Sequence, residues 1–171
     1  MDAVLNMDAG QQLGELLVQA GKLSPRDLER ALAARNEMGG TLQGVLVQLG
    51  IVSELDVVQA RSSLLGVPFA AAEAFPDAPV EVPGLMPEFL GSHACYPLRV
   101  EGGELHVAMA APEDGFVVKA LRLATGLAVQ PYIALPSDIE RALQRVEDGI
   151  KQGLVGGLLV LDREGHPLQL G

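Results

Sequence analysis

Cysteine and tryptophan are almost missing from this chain, and both absences constrain the fold. Its 171 residues include one cysteine, Cys95, and no tryptophan. A single cysteine excludes an internal disulfide and is typical of a protein that works in the reducing cytosol. Because Cys95 lies in a short apolar run, we expect it to be buried rather than reactive. Aromatic residues make up 4% of the chain and apolar residues 49%, so the core is predicted to be aliphatic.

Positive charge is also scarce. The chain has 12 Lys and Arg residues against 22 Asp and Glu residues, a formal net charge of −10. This excess argues against nucleic acid or an anionic membrane surface as a partner, because both would repel the chain. A basic patch on a partner protein fits better. No stretch approaches the ~20 apolar residues of a membrane span, so no direct membrane insertion is expected, and residues 1–11 lack the basic segment of a signal peptide.

Catalytic motifs are missing as well. The sequence has no G-x-x-x-x-G-K-[ST] phosphate-binding loop, so we do not expect it to hydrolyse ATP. His93, His106 and His166 lie in three different predicted elements, without the spacing of metal ligands. The acidic residues cluster at predicted helix starts, where capping and solvation explain them. We therefore expect no enzymatic activity, no metal and no cofactor.

The first third of the chain contains the same sequence unit twice. The copies LGELLVQAGKLSPRDLERAL and LQGVLVQLGIVSELDVVQAR lie 29 residues apart, so that Gly21 corresponds to Gly50. In each copy an apolar i, i+3, i+4, i+7 pattern predicts a short helix, and the glycine then fits its left-handed end. Ser24 and Ser53 are predicted N-caps of the second helices, and Thr41 or a neighbouring residue is the predicted N-cap of the first helix in copy two. This repeat predicts two helix-turn-helix units, each covering the apolar face of the other.

A different pattern follows a Pro-rich stretch. A short helix is predicted from Pro83, and the runs CYPLRV and LHVAMA around two glycines predict a β-hairpin. Pro97 indicates that its strand lies at a sheet edge or begins there.

Later segments predict a helix, a third strand and a last helix. The first of these helices begins with acidic residues near Pro112 and ends at Gly126, and we expect its apolar residues to line it: Phe116, Val117, Ala120, Leu121 and Leu123. Ala128 to Ile133 forms the third strand. The pair Ser137 and Glu140 predicts a capping box for the last helix.

The predicted fold class is α+β. A tandem helix-turn-helix repeat of four short helices (11–66) follows a flexible lead-in (1–10). A Pro-rich connector (67–84) leads to a small subdomain (85–148), in which helices pack on a mostly antiparallel sheet. The tail (149–171) is predicted to be a hairpin or a glycine-rich linker, and it offers a route to self-association.

The repeated motif resembles the N-terminal (MshEN-like) domain of type II secretion and type IV pilus assembly ATPases. In that family the motif R-L-G-x-x-L-L-x-x-G-L-L-x(4)-L-x(3)-L-x-x-Q occurs twice. The resemblance runs from about Leu13 to Val146 and includes the runs around Tyr96-Pro97-Leu98 and Ala124-Thr125-Gly126. It implies the same two-part fold.

The family's tandem motif can bind cyclic di-GMP, so the resemblance implies a nucleotide site. The positions that match it are Leu13, Gly14, Leu17, Gly21, Leu42, Leu46 and Gly50, and Arg35 is a candidate to supply charge. The polar ends of the motif differ here, because Gln12 and Thr41 replace arginines and Arg35 and Leu64 replace glutamines. Gln and Thr lack the planar fork with which Arg binds phosphate. A purely structural repeat is the alternative.

Three hypotheses about function remain open. The first is a non-catalytic, cytoplasmic interaction and regulatory domain that docks a secretion or pilus ATPase on its inner-membrane platform protein. The second is a cyclic di-GMP sensor, and the third is a stand-alone adaptor of the same fold. The first two hypotheses follow from the family resemblance. None of the three involves nucleic acid as a partner.

Overall fold

The computed structural model describes residues 9–77 and 80–155 of the chain. It divides into two compact units, Met1–Phe69 and Ala70–Gly171. The first unit contains four helices: α1 (Ala9–Gln19), α2 (Pro25–Met38), α3 (Leu42–Gln48) and α4 (Glu54–Leu65). The second contains three strands and three α-helices: α5 (Pro87–His93), β1 (Cys95–Glu101), β2 (Glu104–Met109), α6 (Gly115–Thr125), β3 (Ala128–Ile133) and α7 (Pro136–Val155).

The turns of the first unit repeat the same hydrogen bonds. Gly21 and Gly50 have φ angles of +76° and +74°, the left-handed conformation that glycine adopts without steric cost. After α1, the amide of Lys22 donates to the carbonyl of Leu17 at 2.9 Å, and after α3 Ile51 donates to Leu46 at 3.0 Å. These bonds satisfy carbonyls that the helix leaves unpaired. The prediction of glycine at both helix ends is confirmed.

The predicted N-caps of this unit are present. The Ser24 hydroxyl accepts from the amide of Asp27, and the Thr41 hydroxyl from the amide of Gly44, both at 3.1 Å. Ser53 and Asp56 form the complete reciprocal box, because each side chain accepts from the other's backbone amide. The local sequence therefore decides where α2, α3 and α4 begin.

The core of the first unit consists of equivalent positions from the two copies. The buried pairs are Leu13 and Leu42, Leu17 and Leu46, Leu23 and Val52, Leu28 and Val57, and Ala31 and Ala60. Helix α1 packs mainly on α4 and α3, and α2 packs on α3. The first helix of each copy thus lies against the second helix of the other. Each copy completes the core of its partner copy, as the repeat predicts.

The sheet of the second unit has the order β1-β2-β3 and is mixed. Strands β1 and β2 form the predicted antiparallel hairpin through Gly102 and Gly103, whose positive φ angles suit a tight two-residue turn. Strand β3 pairs with β2 in parallel, from Glu104 opposite Ala128 to Met109 opposite Ile133. The prediction of a mostly antiparallel sheet is wrong in this detail. Helix α6 joins β2 to β3, and a helical crossover returns the chain in the same direction.

Both faces of this sheet are covered by helices. One core contains Leu105, Val107, Met109 and Val129 of the sheet with Val117 and Leu121 of α6. The other contains Tyr96, Leu98 and Ala108 with Ile139 and Ala142 of α7. Strand β1 is an edge strand, as Pro97 indicates, and its register shifts between Pro97 and Arg99. The α+β fold class is confirmed.

Three local predictions in the second unit are wrong. Helix α5 begins at Pro87 rather than Pro83, because Gly84 has a φ of +89° that no right-handed helix contains. Ser137 lies inside the first turn of α7, which begins at Pro136, so it does not serve as the N-cap of a capping box. Helix α7 also continues through Gly149 and Gly153, within the segment predicted as a flexible tail.

Some predictions fall outside the described residues. These are the hairpin around Asp162–Gly165 and most of the lead-in, of which helix α1 takes the last two residues. Within the described part of the chain, no helix is both long enough and apolar enough to cross a bilayer.

Candidate functional site

The leucines of the predicted nucleotide site are buried. Leu13, Leu17, Leu42 and Leu46 have at most 2% of their surface exposed. They lie at the centre of the first unit, where α1 contacts α3. In this conformation their side chains hold the two copies of the repeat together and are not available to a ligand.

Gly14 is buried too, against the second helix of its own copy. A Cβ atom placed on Gly14 would lie 2.5 Å from Cδ1 of Leu28 and 3.2 Å from Cδ2 of Leu42. In this conformation Gly14 therefore does not expose its backbone to a nucleotide. Close packing of α1 on α2 and α3 is sufficient to account for this glycine.

The remaining predicted site residues are accessible. Gly21 and Gly50 lie at exposed turns, and a Cβ atom on either would meet nothing within 4 Å. Arg35 is half-buried in the last turn of α2. Of the eight predicted residues, the structure brings the four leucines and Gly14 into one core and leaves Gly21, Gly50 and Arg35 at its edges.

The first unit also has a groove between α1 and α4, with a volume of about 200 Å³. Leu16, Ala20 and Ala60 form its apolar walls, and Nζ of Lys22 lies 3.7 Å from Oδ1 of Asp56 at its border. The Ser53 amide lowers the pKa of Asp56, partial burial opposes this effect, and Lys22 lowers the pKa further. This ion pair links the two copies and is absent from the equivalent position in the other half, where Ile51 replaces Lys22.

A polar network crosses the sheet of the second unit. The Tyr132 hydroxyl accepts from Nη2 of Arg99 at 3.0 Å and lies 2.9 Å from Nδ1 of His106. His106 also contacts the Glu104 carboxylate, and Arg99 contacts Glu101. Each of these five polar side chains is thus paired with at least one of the others. Within residues 9–77 and 80–155, no group of three or more His, Cys, Asp or Glu residues has the arrangement of a metal site.

Cys95 is buried, as predicted, with none of its surface exposed. Burial raises the pKa of its thiol to about 12. A nucleophilic cysteine needs its thiolate form near neutral pH, so Cys95 is a packing residue in this conformation. It contributes to the core between the sheet and α5–α6.

Helix α6 has an exposed apolar surface that the sequence analysis did not identify. Phe116 and Leu123 were predicted to line the helix, yet 68% and 78% of their surfaces are exposed. Val117 and Leu121 fill the inward positions instead. The sequence spacing could have shown this. Phe116 and Leu123 are seven positions apart and share one face of the helix, whereas Val117 and Leu121 define a different face.

Two comparisons with known sequences identify the family. The family model described as the MshEN domain matches residues 65–153. Type II secretion system protein E of Xanthomonas campestris is 33% identical over 141 residues, which cover 80% of this chain and 25% of that protein. The type IV pilus assembly ATPase PilB of Thermus thermophilus is 34% identical over 138 residues, which cover 79% of this chain and 15% of PilB.

Solved structures agree with this match. The N-terminal domain of XpsE is 34% identical, with a TM-score of 0.62, over 82% of this chain and 96% of that domain. A structure of MshE with cyclic di-GMP is 28% identical, with a TM-score of 0.64, over 78% of this chain and 96% of the MshE chain.

The fold is that of the N-terminal domains of secretion and pilus ATPases. This chain belongs to the MshEN domain family. It spans a quarter or less of the length of the curated relatives that it matches.

Proposed function

We propose that this domain is a non-catalytic interaction and regulatory domain of a bacterial type II secretion or type IV pilus assembly ATPase. It docks the motor on the inner-membrane platform protein of its machine, and so it acts in the cytoplasm at the periphery of that membrane. Such a domain provides the surface that binds the platform protein and so orients the motor on it. ATP hydrolysis takes place elsewhere in the motor.

One observation carries this proposal. The chain covers 96% of an N-terminal domain that was solved by itself, but 25% of a whole secretion ATPase. The part of the relatives that it matches is therefore a unit that folds by itself. The sequence has no phosphate-binding loop, and the buried Cys95 thiol has a pKa of about 12, unsuited to nucleophilic attack.

Binding to the platform protein tests the proposal. The purified chain is titrated with the cytosolic domain of the cognate inner-membrane platform protein, and we expect a saturable one-to-one complex. ATP hydrolysis by the full-length motor and by a motor without this domain is measured in parallel. Loss of platform-stimulated hydrolysis, with retained basal hydrolysis, is the expected result. Absence of binding by both the isolated chain and the motor contradicts the proposal.

Cyclic di-GMP binding is the second candidate function, and the MshE structure with this nucleotide favours it. The predicted ligand residues are Leu13, Gly14, Leu17, Gly21, Arg35, Leu42, Leu46 and Gly50. Five of them are buried, so a ligand in the described conformation meets the edges of the repeat rather than its centre. Arg35 is the cation of this set, and a guanidinium suits a phosphate ligand.

Calorimetric titration with cyclic di-GMP, with GTP as the control ligand, tests this second function. Arg35→Ala is expected to weaken binding at least tenfold, on the order of one charged hydrogen bond. Arg26→Ala is the matched control, because Arg26 is an exposed arginine of the same helix. Substitutions of the four buried leucines are not informative here, since they test the fold. No heat at high concentrations of cyclic di-GMP contradicts this function.

A further inference from the structure

Four long side chains on one side of α6 point outward: Phe116, Lys119, Arg122 and Leu123. All four are exposed, whereas Val117 and Leu121 of the same helix are buried. We call these four residues the α6 outer face. Phe116 and Leu123 lie two turns apart, about 10 Å along the helix axis. Large exposed apolar side chains at this spacing are typical of a surface that receives another helix.

Neighbouring aromatic contacts hold one end of this face in place. The Phe116 ring lies 6.0 Å from the ring of His93, which in turn lies 4.4 Å from the ring of Phe89 on α5. The Asp114 carboxylate caps α6 by accepting from the amide of Phe116 at 3.0 Å. Phe116 is therefore pre-positioned, and a partner pays less conformational entropy to dock on it.

The α6 outer face carries two cations, Lys119 and Arg122, which could pair with carboxylates of a partner. Lys22, Arg30, Arg99 and Arg141 each pair with a carboxylate. Lys119 and Arg122 make no ion pair with another residue of ranges 9–77 and 80–155. Arg26 and Arg145 also make no ion pair within these ranges. The α6 outer face combines two such cations with two exposed apolar side chains, in a chain of net charge −10. They are complementary to a segment that carries apolar and acidic side chains.

We propose that the α6 outer face is the surface on which the partner protein docks, and that it receives an acidic amphipathic helix. The partner's apolar residues cover Phe116 and Leu123, and its carboxylates pair with Lys119 and Arg122. This inference rests on the proposed docking function and specifies the surface and the partner chemistry that it uses. Buried aromatic anchors with flanking charge pairs are the arrangement that concentrates binding energy in protein interfaces.

Charge favours a protein segment over a membrane as the occupant. An anionic bilayer presents charge across its whole plane, so much of this acidic chain would lie near it and be repelled. Glu113 and Asp114 lie directly beside the α6 outer face and would oppose such contact. A single helix meets mainly the local cations, because salt screens charges beyond about 8 Å.

Two double variants test the inference in the full chain. Lys119→Glu/Arg122→Glu reverses the charge of the face. Its matched control is Arg26→Glu/Arg30→Glu, which makes the same change in net charge on α2. The probe is the cytosolic domain of the cognate platform protein, titrated at low and high salt.

Phe116→Gln/Leu123→Gln removes the apolar part of the face with a residue that favours helices. Its matched control is Met38→Gln/Leu49→Gln, at two other exposed apolar positions. Circular dichroism and thermal unfolding confirm that each variant keeps its fold, as the exposure of all four apolar positions leads us to expect.

We expect both α6 variants to weaken platform binding at least tenfold, while both controls bind as the wild type does. The charge reversal should also abolish the decrease of affinity with salt. If the wild type binds the platform and the α6 variants bind equally well, the inference is overturned and the proposed function stands. If the wild type does not bind the platform, the proposed function fails and this inference falls with it.

Two further controls identify other occupants of the face. Flotation with phosphatidylglycerol vesicles that depends on the α6 outer face would assign it to a membrane. A wild-type dimer in analytical ultracentrifugation that the α6 variants dissociate would assign it to a second copy of the chain. Either result overturns the inference.

Discussion

Substitution of Gly14 by alanine separates a packing role of this glycine from a role in ligand binding. Gly14 is part of the repeated motif that resembles a nucleotide-binding sequence, yet it lies in the interior of helix α1 against Leu28. Because a Cβ atom there would be 2.5 Å from Cδ1 of Leu28, the added methyl group forces the leucine to move. Leu28 is 6% exposed, so it has little free space to move into.

Two opposing terms determine the expected magnitude. Alanine is favoured over glycine in a helix interior by about 1 kcal/mol. Overpacking of a filled core costs about 1–3 kcal/mol. We therefore expect Gly14→Ala to destabilise the first unit by about 1 kcal/mol.

Shortening the opposing side chain should reverse this effect. Leu28→Val alone removes one methylene group and should cost about 1 kcal/mol. In the double variant the clash is gone and the helix preference of alanine remains, so its stability should be close to that of the wild type. The second copy of the repeat has a similar pairing, because Gln43 replaces the glycine and Val57 replaces the leucine at the equivalent positions. The coupling between the two substitutions is then about 2 kcal/mol, within the range for residues in contact.

Urea unfolding of the four proteins of this cycle measures the effect, and amide hydrogen exchange in α1 and α2 assigns it to the first unit. A stabilised Gly14→Ala protein, or additive effects in the cycle, would refute the packing explanation. Titration of the same proteins with cyclic di-GMP adds a functional readout. Loss of binding in a double variant of wild-type stability would assign Gly14 to the ligand after all.

Three further predictions concern local structure. Ala94 ends α5 with a φ of +48°, so Ala94→Gly should raise the free energy of unfolding by about 0.5–1 kcal/mol, as measured by urea denaturation. Gly84→Ala should destabilise the protein by more than about 2 kcal/mol, because the added Cβ atom would collide with a backbone carbonyl. Gly126 is also left-handed but has open space around it, so Gly126→Ala should cost about 1 kcal/mol. The native hydrogen bonds hold the pKa of Asp56 below its unfolded value, so the stability they contribute is present above that value and is lost as pH falls through the native pKa. Asp56→Asn should therefore be less stable than the wild type at neutral pH by about 0.5–1 kcal/mol. In thermal unfolding scans this difference should begin to shrink below about pH 4 and disappear as the pH falls through the lowered native pKa of Asp56.

Most of the secondary structure could be predicted because its determinants are local. Ser24, Thr41 and Ser53 cap the helices that follow them through atoms three residues away. Gly102 and Gly103 form the hairpin turn, and strand β3 has the predicted bounds of Ala128 and Ile133. These choices depend on backbone conformations and on hydrogen bonds within a few residues, so the sequence records them directly.

The errors arise where a local signal has two solutions. Pro83 and Pro87 both permit a helix start, and the conformation at Gly84 selects the second. The direction of β3 follows from the crossover through α6, and the residues of the strand itself do not indicate it. The leucines of the candidate nucleotide site show the same ambiguity, because an apolar motif residue serves a helix core and a ligand surface equally well.

By itself, the sequence determined the tandem repeat, the aliphatic core, the cap and turn positions and the family to which the chain belongs. Only the tertiary structure decided which apolar residues are buried. It placed Leu13, Gly14, Leu17, Leu42 and Leu46 inside the first unit and left Phe116 and Leu123 on the outside of α6. The physical reason is that burial depends on contacts between segments distant in the chain. Hydrophobic periodicity identifies an apolar face of a helix or strand. Whether other elements of the fold cover that face depends on how they pack.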